Sequence, residues 1–377
     1  MSEYKLKFMH AADIHLDSAY AEFESDKAAV RRSELRASFT ALITFARMND
    51  VELMLIAGDL FDDSFATRET AAHIRREFAS CPNTRFVISP GNHDPYNAAS
   101  FYAQSALPEN VYIFNQKELS YIEFDDINTT VYGYAFTSGE YTENPLRGFS
   151  VPDDGRIHLF CAHCDLDVPS SSYCPITTAD ILNAKFDYAA LGHIHNTEGI
   201  NCDRGVYYGY SGCLEGRDFG ECGYKGAVIC DAVKEDGIFR AEVKGLRFSR
   251  RRYERLNLDL TGIKDEESAY AHILQSVTRS YSNDTSLRLT LLGDVPSDLA
   301  LSLTYIRESI GDTVFSLELI DKTLPLADTE TLKSDPSIKG AFYRELESAL
   351  LSDDGREKEI SAEALRYGLA AIAGRDF

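Results

Sequence analysis

Five short polar clusters break apolar runs in the first half of the chain. They are ADIH with Asp13 and His15, AGDLFDD with Asp59, Asp62 and Asp63, PGNHD with Asn92, His93 and Asp94, AHCD with His163, and LGHIH with His193 and His195. Five of the nine histidines fall in these clusters. Each cluster follows a stretch that reads as a buried strand, and in open α/β sheets the carboxyl ends of the strands are where ligands bind. Carboxylates buried beside several imidazoles are costly unless a cation compensates them. Two divalent metals would do so. A mixed Asp, His and Asn donor set suits manganese, iron or zinc better than calcium, which prefers oxygen alone.

A lone histidine at a strand end is ordinarily a hydrogen-bonded core or rim residue. That reading is kept for His10, His73 and His272, which belong to no cluster, and for His158, which alternates away from a strand-end site. It fails for the set, because it must explain each cluster separately. Cys161 and Cys164 form a CxxC without a second pair at structural-zinc spacing, so no separate zinc site is expected there. Glycines before Asp59, Asn92 and His193 permit tight turns and close approach of backbone to a site.

Taken in order, DxH, GDxxD, GNHD, a single His and GHxH resemble the calcineurin-like metallophosphoesterases over residues 13–195. The stretches HAADIHLDS, AGDLFD and YERLNLDLTG further resemble SbcD-like DNA repair nucleases, the YhaO-type exonucleases in particular. The resemblance implies that one metal is held by Asp13, His15 and His195, the other by Asn92, His163 and His193, with Asp59 bridging. It implies manganese first, with iron, zinc or magnesium as alternatives. His93 is then a donor toward the leaving oxygen or phosphate, and Asp94 its orienting carboxylate.

These implications lead to a function. Two cations ~3.5–4 Å apart clamp the attacking and leaving oxygens of an in-line displacement and bring the pKa of a bound water toward ~7. The expected activity is metal-dependent hydrolysis of DNA, as an exonuclease or endonuclease and as the nuclease subunit of a repair complex. A phosphatase or cyclic-nucleotide phosphodiesterase with the same core is one alternative. A non-catalytic subunit that binds DNA or an ATPase is the other, and the complete ligand set argues against it.

The surrounding elements follow from periodicity. Apolar runs at 6–14, 51–58, 85–89, 157–163 and 186–192 read as strands. Ser33 reads as the cap of a helix with Leu35, Phe39, Leu42 and Ala46 on one face, and Thr67 as the start of a second helix through Ala79. The pattern fits a layered α/β/β/α metallophosphoesterase sandwich over 1–250. A small α/β capping domain is expected over 251–321, a polar linker over 322–338 and a helical segment over 339–377. In SbcD-like systems such a segment engages a coiled-coil ATPase of the SbcC type, so a YhaN-like ATPase is the partner implied here.

Composition sets the outer bounds. The 377 residues allow two or three domains, taking ~150 residues for each. The net charge of −22 argues against a generic nucleic-acid coat and for weak DNA affinity without a partner or a homodimer. The run Arg250, Arg251, Arg252 and Arg255 reads as a solvated face with phosphate-backbone contact as its functional alternative, and GRDFGECGYKG either lines the site through Arg217 and Lys225 or is an ordinary Gly-rich hairpin. No secretory segment or membrane-length apolar run is read, and eight scattered cysteines fit a reducing, cytoplasmic setting.

Overall fold

A computed structural model describes residues 3–62, 67–296, 299, 301–326 and 328–372. The chain divides into two compact units, Met1–Arg252 and Tyr253–Phe377.

The first unit runs β1 (Glu3–Ala11), α1 (Ser25–Met48), β2 (Leu53–Ile56), α2 (Arg68–Ala79), β3 (Arg85–Ile88), α3 (Phe101–Gln104), β4 (Val111–Ile113), β5 (Ser120–Phe124), β6 (Thr129–Gly133), β7 (Ile157–His163), α4 (Thr178–Ala184), β8 (Tyr188–Gly192), β9 (Asn201–Asp203), β10 (Val206–Tyr210), β11 (Gly226–Glu235) and β12 (Ile238–Arg247). They form two six-stranded sheets, ordered β12-β11-β1-β2-β3-β4 and β5-β6-β7-β8-β10-β9. β1, β2, β3 and β4 are mutually parallel, as are β6, β7, β8 and β10. On the other side of β1 from β2, β11 pairs antiparallel with β1 and β12 antiparallel with β11.

Strand alternation sorts the side chains into layers. Leu6 and Phe8 of β1 and Leu53 and Leu55 of β2 join Val131, Leu159, Cys161 and Tyr188 in one core between the sheets. Their neighbours Met9, Ala11, Met54 and Ile56 face Leu35, Phe39, Leu42 and Phe78 of α1 and α2. On the far side, Phe160, Ala162, Ala189 and Leu191 pack with Ile181 and Ala184 of α4. The result is the α/β/β/α sandwich expected from the sequence. Such cores are sensitive to truncation: emptying one fully buried phenylalanine costs about 3–5 kcal/mol.

Helix α1 starts earlier than expected. Ser33 lies inside it and Glu24 is its N-cap, without a side-chain cap bond. The expected stripe Leu35, Phe39, Leu42 and Ala46 is buried as read, and Ala28 and Arg31 extend it by two turns. Thr67 caps α2, its side chain accepting from Thr70 N.

The second unit contains β13 (Arg252–Asp259), α5 (Glu266–Ser280), β14 (Thr285–Leu292), β15 (Asp294–Val295), α6 (Leu303–Ile310), β16 (Ser316–Asp321), β17 (Leu324–Pro325), α7 (Thr329–Ser334), α8 (Ile338–Leu350) and α9 (Gly355–Ile372). Its three-stranded sheet is ordered β13-β14-β16. The stretch 322–338, expected as a linker, instead pairs β17 with β15 and folds α7. Leu332 of α7 is buried with Tyr343, Leu365 and Leu369 of α8 and α9, which explains why this polar, proline-bearing stretch is ordered. Arg366 of α9 also bonds Asp294. Among the described residues, no helix is long and apolar enough to cross a membrane.

Candidate metal centre

The carboxyl ends of β1, β2, β3, β7 and β8 carry the five polar clusters to one place. Asp13, His15 and His195 present ligand atoms that all lie within 4.8 Å of one another, and so do Asp13, Asp59 and His163. Asp59 Oδ2 lies 3.6 Å from His15 Nε2 and 3.5 Å from His163 Nε2. His163 Nε2 is 2.8 Å from Asn92 Oδ1 and 3.2 Å from His193 Nδ1. All seven residues expected as ligands therefore converge, and Asp59 sits between the two groups.

The loops that do this are strained. Asp13, His15, Asp59 and His193 have positive φ angles of 50, 49, 52 and 106°. Non-glycine residues adopt that region at a cost, and such outliers cluster at functional sites. Gly91 has a different reason: a Cβ there would lie 2.2 Å from Asp59 Oδ1. A Cβ on Gly58, at φ +87°, would lie 2.3 Å from His163 Nδ1.

Outer contacts fix which nitrogen of each imidazole faces inward. His15 Nδ1 donates to Asp62 Oδ1 at 2.6 Å, and His195 Nδ1 donates to Glu221 Oε1 at 2.5 Å. The two inward Nε2 atoms then carry lone pairs, and they face each other at 3.2 Å. His163 Nδ1 donates to the Ala57 carbonyl at 3.1 Å, which turns its Nε2 lone pair onto the Asn92 oxygen. Facing lone pairs repel, and a cation placed between them turns the repulsion into ligation. The residues present therefore fit divalent metal ions.

Electrostatics agree. Burial pushes the Asp13 carboxyl up to about 7, because nothing else in the cluster fully compensates its charge. Burial also opposes ionisation of Asp59, but the His163 and His15 imidazoles outweigh it and hold that carboxyl below its ordinary range. Desolvation lowers the His163 imidazole to about 4, so it stands neutral, as a ligand must. Burial works against the Glu221 charge as well, yet His195 and Arg217 hold its carboxyl down at about 2. Arg217 lies against that edge, with Nη2 2.7 Å from His195 Nδ1 and 3.3 Å from Glu221 Oε1, so Glu221 is the acceptor both share.

His93 is about half exposed, and its Nδ1 donates to Asp62 Oδ1 at 3.1 Å. That bond raises the imidazole pKa against the opposing effect of burial. Asp94, expected as the orienting carboxylate of His93, is employed elsewhere. It is fully buried and accepts from Asp59 N, Leu60 N, Gly91 N and Tyr102 Oη at 3.1, 2.7, 2.6 and 2.6 Å. It ties the Asp59 loop to the Asn92 loop, and Asp62 takes the place beside His93. Asp63 lies outside the described residues.

The basic side chains weighed as substrate contacts separate into distinct environments. Arg217 is at the centre, as described. The Lys225 ammonium donates to Asn196 Oδ1 at 2.6 Å. Arg250 is exposed, and its backbone N–H donates to Glu215 Oε1 at 2.6 Å. Arg251 turns inward, pairing with Glu34 at 2.6 Å, so that member of the run is a structural tie. Arg252 lies over the Tyr224 ring, 4.9 Å from its centroid.

Sequence reasoning missed Glu221 and Tyr102. Each sits far along the chain from the group it holds or works through a hydrogen bond that only the fold creates, and neither carries a local motif. His10 is structural: its Nε2 donates to the Leu191 carbonyl and its Nδ1 accepts from Tyr188 Oη, both at 3.0 Å. Cys161 and Cys164 are buried, and burial raises both thiol pKa values.

Comparison with known proteins bears on this geometry. The metallophosphoesterase YhaO of Bacillus subtilis, described as uncharacterized, is 26% identical over 92% of this chain and 88% of its own. The DNA double-strand break repair protein Mre11 of Sulfolobus acidocaldarius is 23% identical over 97% of this chain and 99% of its own. A solved dimetal phosphatase from Danio rerio is 14% identical over 64% of this chain and 98% of its own, with a TM-score of 0.37. The family model for calcineurin-like phosphoesterases matches residues 6–197, the span that carries all five clusters. This chain belongs to the calcineurin-like phosphoesterases, hydrolases that work with divalent metal ions.

Proposed function

We propose that this protein is a two-metal phosphodiesterase that hydrolyses DNA, with manganese as its working metal, as the nuclease subunit of a repair assembly. The observation that carries the phosphodiesterase reading is the pair of facing, inward lone-pair sets joined through Asp59. Asp13, His15 and His195 would hold one ion and Asn92, His163 and His193 the other, with Asp59 placed between the two sets. The bound metals supply an activated water and neutralise charge on the phosphate.

The chain's own residues do the rest. Asp62 and Glu221 keep the Nδ1 protons on His15 and His195, so that Nε2 stays available to each ion. Asp94 fixes the spacing of the Asp59 and Asn92 loops. The hydrogen bond from His93 Nδ1 to Asp62 raises the imidazole pKa, which suits His93 to donate a proton to the leaving oxygen.

The DNA part of the reading is supported by full-length similarity to a protein named for DNA double-strand break repair. A coiled-coil ATPase partner would dock on α8 and α9, where Ile338 and Ile360 are exposed, as is Leu351 just after α8. The test is a substrate panel. Purified protein loaded with Mn²⁺ is assayed on 3′-labelled oligonucleotides, cyclic nucleotides and aryl phosphates, with and without a candidate ATPase. Oligonucleotide cleavage supports the reading, and turnover confined to small esters rejects the nuclease assignment.

A further inference from the structure

Lys225 is only 7% exposed, yet no carboxylate pairs with its ammonium among the described residues. Among the described residues its ammonium donates to one acceptor, the neutral side chain of Asn196. An ammonium has three donors, and burying it without a counter-charge is costly. The position is nevertheless fixed. Lys225 N donates to Ser249 Oγ at 2.9 Å, and its carbonyl accepts from Phe248 N and Ser249 N, both at 3.1 Å. A cation held this firmly without an anion is a site waiting for one.

Its surroundings point to the same ligand. Lys225 lines a groove of about 390 Å³ together with Tyr224, Ser211, Thr197 and Arg247. Among the described residues no carboxylate lines it, in a chain where 60 acidic residues outnumber 38 basic ones. The Arg247 and Arg252 guanidiniums lie 3.3 and 4.9 Å from the Tyr224 ring centroid. The groove also adjoins the loop that carries His195, because Thr197, two residues on, lines it. Cys213 N donates to the His195 carbonyl at 3.0 Å and Gly226 N to the Cys213 carbonyl at 3.1 Å, which puts Lys225 beside a ligand-bearing loop.

We propose that this groove is a second phosphate subsite: Lys225 takes the phosphodiester of a nucleotide next to the scissile one, and the Arg247–Tyr224–Arg252 stack receives the strand beyond it. The inference rests on the nuclease reading above and adds where the polymer runs. A single strand suits the groove, because guanidinium and aromatic faces accept bases and phosphates without regard to sequence. The site also answers the charge problem of a protein at net −22: attraction for a polyanion is concentrated in one groove beside the His195 loop with no carboxylate among its described lining residues.

The test compares wild type with Lys225→Met and Arg247→Ala. Binding of a fluorescein-labelled single-stranded oligonucleotide is followed by anisotropy across a salt series, and Mn²⁺-dependent cleavage of the same strand is resolved into kcat and KM. Each variant is expected to weaken strand binding by about tenfold or more. The rise is expected in KM rather than kcat, and the salt slope should fall by about 0.7 for the one phosphate that is no longer neutralised. Because Lys225→Met deletes an uncompensated buried charge, its urea midpoint should equal or exceed that of wild type, so weakened binding is not misfolding. If wild type cuts the strand and both variants keep its KM and salt slope, the subsite is overturned and the nuclease reading stands. If wild type hydrolyses bis(p-nitrophenyl) phosphate but neither binds nor cuts the strand, both fall together.

Discussion

His93 Nδ1 donates to Asp62 Oδ1 at 3.1 Å, and the same oxygen accepts from His15 Nδ1 at 2.6 Å. One carboxylate therefore orients an expected metal ligand and the expected proton donor together. Removing His93 and removing Asp62 should consequently fail in different ways. His93→Ala is expected to lose kcat by about 10²–10⁴-fold, the usual contribution of a positioned acid, while elemental analysis still finds its metals. Asp62→Asn should lose kcat and also bind metal about 10–100-fold more weakly, as loss of an outer-shell carboxylate does. A His93→Ala protein stripped of metal would contradict this division of roles.

Asp94 makes a contrasting case. Its four partners are three backbone N–H groups and the Tyr102 hydroxyl, so its loss leaves buried donors without an acceptor. Asp94→Ala is expected to destabilise the fold by about 1–3 kcal/mol for each buried donor left unsatisfied. Calorimetry reads this as a lowered Tm, and a variant as stable as wild type would return Asp94 to a purely catalytic role.

Gly91 should tolerate no side chain. The Cβ of Gly91→Ala would lie 2.2 Å from Asp59 Oδ1, so either the Asp59 carboxylate or the Asn92 loop has to move. A misplacement of about 1 Å costs on the order of 10²-fold in rate. The expected result is a folded protein by circular dichroism with kcat/KM down by that order. Wild-type activity would show that the loop spacing is not critical.

The pH dependence of stability should carry the signature of His10. Burial lowers its pKa to about 4 from an ordinary 6.5, and the neutral ring is satisfied by Leu191 and Tyr188. The unfolded chain therefore binds the proton more readily than the folded one. The stability from His10 is fully present above about pH 6.5 and is lost progressively as pH falls toward 4, to a total of about 3 kcal/mol. Urea midpoints measured from pH 7.5 to 4.5 should fall more steeply for wild type than for His10→Asn. Parallel curves would contradict the assignment.

The sequence made the sandwich and the ligand set legible because both are local. Alternation in Leu53–Ile56 assigns each side chain to its layer, and every expected ligand sits within a few residues of a strand end. What stayed hidden depends on contacts between distant segments. Glu221 reaches His195 across 26 residues, and Arg251 reaches Glu34 across 217. No periodicity encodes such pairs, so Arg251 reads as part of a solvated or phosphate-contacting run. Asp94 misleads for the same reason: adjacency to His93 suggests a partnership, while the turn sends its carboxylate back to the Asp59 loop. The stretch 322–338 reads as a linker because its order comes from the burial of Leu332 against α8 and α9, which lie later in the chain.

The most direct test of the central claim is anomalous diffraction at the manganese edge from crystals grown in MnCl₂. Two peaks ~3.5–4 Å apart are expected, one among Asp13, His15 and His195 and one among Asn92, His163 and His193, with Asp59 touching both. No anomalous density at that rim, or a single peak that leaves one set of imidazoles facing empty space, would contradict the two-metal account.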